Sequence, residues 1–270
     1  MSAFTDWLEF WADYPCGVLD LGTPSNPPQY EALEKYVQGF IDLPSATSII
    51  TGQINPPFHD HQLNVLWHLF QKAMLREPQH HDKIMNVIAA LQALPAKEDI
   101  DWPNLPNFDF AWADICRLHT HGPDPWEESD WGKMVWLTQR RVAELRTEYE
   151  AIGKAEAAMY SRGLMVPAWW GYQIISIVTW GRLGIDILLS EIHAWLAGAA
   201  DLLKHGLDTC QMASYPGENY TTLYGTMEEH WEAWTHKMLE LSKEGSALID
   251  GSELSGVGRQ LASECYEYMR

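Results

Sequence analysis

Seven polar residues recur along the most apolar stretch of the chain: Gln173, Ser176, Thr179, Arg182, Asp186, Ser190 and His193. Their spacings of 3, 3, 3, 4, 4 and 3 put them on one face of a helix, provided that the helix runs unbroken through Gly181 and Gly184. Arg182 and Asp186 are then an i,i+4 ion pair, and the face is close to neutral. Such a face is either solvated or the wall of a polar-lined site between helices. Its scarcity of Lys and Glu favours the second. In that reading Asp186 is the base, or the acid if burial raises its pKa. Arg182 holds a carbonyl or carboxylate, and His193 is a further proton carrier at the end of the stripe. Tyr224 and His230 reach the same place from the C-terminal helices.

Tryptophan is the second signal. The chain has 14 Trp against 7 Phe, although each buried indole N–H wants a partner. Trp67, Trp131, Trp231 and Trp234 lie on regular apolar stripes and read as core. Trp169, Trp170, Tyr172, Trp180 and Trp195 cluster less regularly around the polar stripe. An aromatic wall with a few placed polar groups suits a flat or polycyclic ligand. The substrate-binding set expected here is Trp169, Tyr172, Gln173, Ser176, Trp180, Tyr224 and His230.

Other chemistry is poorly supplied. His59-Asp60-His61 and His119-Thr120-His121 are His-x-His pairs, and His80-His81-Asp82 is a third cluster. None completes the three or four ligands that zinc requires, so no metal is expected. The phosphate loop, the Rossmann glycine fingerprint and the Gly-x-Ser-x-Gly elbow are all missing, and no cofactor is expected. An aspartate-rich terpene-synthase motif is also missing, with Glu127-Glu128-Ser129-Asp130 a poor substitute.

The elements that must position these residues are helices. Leu63, Trp67, Phe70 and Met74 form an apolar stripe that stops before Pro78. Ile84, Ile88, Leu91 and Leu94 form the next, before Pro95. A long helix is spaced by Trp131, Val135, Thr138, Val142, Leu145, Tyr149 and Ile152, with Arg140–Glu144 and Arg146–Glu150 pairs on its outer face. The segment 161–167 reads as a break. Met227, Trp231, Trp234, Met238 and Leu241 mark a penultimate helix, and a last one runs from about Glu253 to Met269. No segment alternates as a strand bounded by a hairpin turn. The expected fold is all-α, one globular multi-helix bundle over 1–270 without significant sheet, with lobes at 1–125 and 126–270.

Charge and cysteine bound the partners. With 37 acidic and 18 basic residues the net charge is −19, which opposes nucleic acid and anionic membranes. The four cysteines, Cys16, Cys116, Cys210 and Cys265, form no Cys-x-x-Cys pair, and the first residues lack a secretory pattern. A cytoplasmic location without membrane insertion is expected.

Between residues 60 and 270 the ordering of short motifs resembles a large fungal family of uncharacterised all-helical proteins, known only as a domain of unknown function. These motifs include Leu66-Trp67-His68-Leu69, Arg76-Glu77-Pro78, Leu91-Gln92-Ala93-Leu94-Pro95 and Asp101-Trp102-Pro103-Asn104-Leu105-Pro106. Further along are Ala194-Trp195-Leu196-Ala197-Gly198, His230-Trp231-Glu232-Ala233-Trp234 and a last helix ending in Tyr266-Glu267-Tyr268-Met269. Where the family has a glycine- and tryptophan-containing piece before the penultimate helix, this chain has Leu223-Tyr224-Gly225. The resemblance implies a helical fold, a fungal source and a secondary-metabolite pathway, and it carries over no catalytic residue. Residues and resemblance together point to an enzyme that performs isomerase, cyclase or lyase chemistry on an apolar or polycyclic small-molecule substrate. It would use neither metal nor nucleotide cofactor. The competing expectation is a non-catalytic binding or scaffolding protein acting through helical interfaces, a homodimer among them.

Overall fold

The computed structural model describes residues 27–54, 59–97, 100–109, 111–112, 139–164, 166, 168–180, 184–207, 226–246 and 253–270. About 80% of them are helical, and no sheet is formed among the described residues. The helices are α1 (Pro27–Val37), α2 (Leu43–Thr51), α3 (His59–Arg76), α4 (His81–Gln92), α5 (Gln139–Ser161), α6 (Ala168–Trp180), α7 (Ile185–His205), α8 (Met227–Leu241) and α9 (Gly256–Met269). No helix among the described residues is long and apolar enough to cross a membrane. The chain divides into two compact units. One is Met1–Ala73 with Asp82–Ala111, and the other is Met74–His81 with Trp112–Arg270.

Leu63, Trp67, Phe70 and Met74 form the buried face of α3, and Ile84, Ile88 and Leu91 that of α4, while Leu94 lies beyond the end of α4 and is only partly buried. The Asp42 side chain caps α2 by accepting from the Ser45 N–H at 2.9 Å, which satisfies a free donor of the first turn. The Gln29 amide donates to the Ile50 carbonyl at 2.9 Å and ties α1 to α2. Trp67 has 1% exposure, yet its indole N–H is satisfied by the Pro106 carbonyl at 2.7 Å, and its ring meets Phe108 edge-on.

The second unit is built around α7, which is buried on nearly every side. Residues of α5 and α7 pair in ascending order, Arg146 with Asp186, Glu156 with Trp195, and Ser161 with Gly198, so the two helices are parallel. They approach closely because small residues line the seam. A Cβ at Gly153 would press on the Glu191 carbonyl and lie 2.9 Å from the Ala194 Cβ. By the same test α9 runs parallel to α7, with Asp186 against Ser255 and His193 against Glu264. α6 returns antiparallel, its Tyr172 hydroxyl donating to the Leu203 carbonyl. α8 opens with a capping box, in which Thr226 Oγ1 accepts from the Glu229 N–H and the Glu229 carboxylate accepts from the Thr226 N–H. The predicted stripe Met227, Trp231, Trp234, Met238 and Leu241 is its buried face.

Two local expectations are corrected. The helix through Gly181 and Gly184 is broken: α6 ends at Trp180 and α7 starts after Gly184, whose φ of 87° is left-handed. Apolar periodicity continues across the break because both helices are buried on most sides, so the period carries no mark of the turn. The pair Arg146–Glu150 also fails to form. Arg146 reaches across to Asp186, and Glu150 takes Lys154 at i,i+4.

Candidate functional site

Breaking the helix divides the polar stripe. On α7, Asp186 and His193 face a seam closed by neighbouring helices. The Arg146 guanidinium donates to Asp186 Oδ2 at 2.6 Å and to Ser255 Oγ at 2.8 Å, while the Ser255 hydroxyl donates to Asp186 Oδ1 at 2.8 Å. Ser255 is the N-cap of α9, and its Oγ also accepts from the Gly258 N–H at 3.0 Å. A Cβ at Gly258 would collide with Asp186 Oδ1. The carboxylate expected to be the base is therefore bound into the joint between α5, α7 and α9. Two turns on, His193 Nε2 lies 2.7 Å from a Glu264 carboxylate oxygen, and its ring sits 5.6 Å from that of Tyr268. Gln260 and His193 hold the Glu264 carboxyl below its ordinary range.

On α6, Ser176 is buried and donates to the Gln173 carbonyl of its own helix at 2.7 Å, and Gln173 is buried beside it. Trp169 is 42% exposed and meets Trp170 edge-on. Arg182, Tyr224 and the side chain of Trp180 lie outside the described residues, as do His119, His121 and the side chains of His59 and His61. His81 Nε2 donates to the Met74 carbonyl at 2.6 Å, a helix-end contact. Among the described residues no group of three or more His, Cys, Asp and Glu is arranged to hold a metal ion.

The structure does bring two of the expected binding residues together, through a third. Trp234 of α8 stacks with Tyr172 of α6, at 6.3 Å and 30° between rings, and with His230, at 6.0 Å and 27°. Trp231 stands edge-on to Trp234 at 6.4 Å. Tyr172 and Trp231 have already spent their polar atoms, the hydroxyl on Leu203 and the indole N–H on the Met269 carbonyl at 3.1 Å. His230 has not. Its ring is half-buried, its Nε2 is turned inward, and that atom has no hydrogen-bond partner among the described residues. Burial pushes its pKa below the ordinary value of about 6.5, and the neighbouring Glu229 carboxylate opposes this only in part. The imidazole is therefore neutral at neutral pH, with one nitrogen able to accept a proton.

A second buried polar centre lay outside the sequence expectations. Glu156 is fully buried, and its two carboxylate oxygens accept from the indoles of Trp112 at 2.9 Å and Trp195 at 2.8 Å. The signal for it was present. Glu156 continues the apolar spacing of Leu145 and Tyr149 past Gly153, a place where a carboxylate must be satisfied inside the protein. Glu264, which meets His193 across the α7–α9 seam, also lay outside the sequence expectations.

Comparison with known proteins finds no matching family model, no matching curated protein and no matching solved structure.

Proposed function

We propose that the second unit is a small-molecule enzyme that moves a proton on an apolar or polycyclic substrate, with His230 as the acid–base group. The observation that carries this reading is the inward-turned Nε2 of His230, without a partner among the described residues, beside the stack of Tyr172 and Trp234. A general base works best when its pKa is near the working pH and it is neutral before reaction. Burial supports that state for His230. In an isomerisation, Nε2 takes a proton from one atom of the substrate and the imidazolium returns it to another. The bonding electrons shift within the substrate and the enzyme ends unchanged. Elimination and cyclisation use the same first step. Tyr172 and Trp234 supply apolar faces that favour a flat ligand. The resemblance to the fungal helical family extends the proposal to a metabolite of fungal biosynthesis, and the cysteine usage extends it to a cytoplasmic enzyme.

The test is proton exchange. The protein is incubated in heavy water with an apolar metabolite extract, and retained molecules are examined by mass spectrometry. The expected result is a retained compound that gains deuterium with the protein and not with His230→Gln. Equal deuterium uptake with His230→Gln, or no retained compound, overturns the assignment.

A further inference from the structure

We draw no further inference here: the strongest candidate, the partly exposed His193–Glu264–Tyr268 cluster on the seam between α7 and α9, is a contact that its own helices complete, with His193 Nε2 on one Glu264 carboxylate oxygen and the Gln260 amide on the other, and nothing among the described residues shows what ligand or partner would meet it.

Discussion

Asp186 and Arg146 are joined at 2.6 Å across the parallel seam of α5 and α7, and Ser255 at the head of α9 is bound to both. Arg146 and Asp186 keep only 18% and 16% of their side-chain exposure. Arg146→Ala leaves a carboxylate against the start of α9 without its cation, and the cost should be about 2–4 kcal/mol. That is less than the roughly 3–5 kcal/mol of a fully buried pair, because water still reaches this one. Urea denaturation measures it. A loss below about 0.5 kcal/mol, the scale of an ordinary surface change, would mean that the joint carries no weight.

Glu156 should tolerate no replacement that removes an acceptor. Glu156→Ala strands two buried indole N–H groups, and hydrogen bonds to charged groups are worth roughly 1.5–3 kcal/mol each. Glu156→Gln retains one oxygen and turns an NH2 towards the other indole, so it should lose about half as much. The thermal midpoints should therefore order wild type above Gln above Ala. Equal midpoints for Gln and Ala would show that only one of the two bonds matters.

Trp231 is 4% exposed at the centre of the α8 stripe, with its N–H bound to Met269. Trp231→Ala should destabilise by roughly 3–5 kcal/mol, the range for emptying a large aromatic site. Calorimetry of the variant is the check, and an unchanged midpoint contradicts the packing described.

His230 makes a signed prediction for pH. Its folded pKa is depressed, so between that value and the unfolded value of about 6.5 the unfolded chain binds more protons. Its contribution to stability is fully present above about pH 6.5 and is lost as pH falls through the folded pKa. Urea midpoints compared near pH 7.5 and pH 5.5 should fall less for His230→Phe than for the wild type, by the loss of this one linkage term. Identical slopes would place the ring in water.

Local order was legible in the residues themselves. The period of Leu63, Trp67, Phe70 and Met74, and that of Met227, Trp231, Trp234, Met238 and Leu241, specifies helices with one buried face, because burying apolar side chains at 3.6 residues per turn leaves no other regular solution. The break at 161–167 and the last helix could be read the same way, from Pro, Gly and the end of a stripe. Which charge meets which was decided only by the packing of the helices. Arg146 has an acceptor at i,i+4 on its own helix, but the close seam allowed by Gly153 brings Asp186, distant in sequence, within 2.6 Å. Gly184, in its left-handed turn, separates Gln173 and Ser176 from Asp186 and His193 by folding one apparent stripe into two antiparallel helices. Trp234, which read as simple core, became the ring that joins Tyr172 to His230, because contacts between α6 and α8 depend on how the helices are stacked and not on spacing along either one.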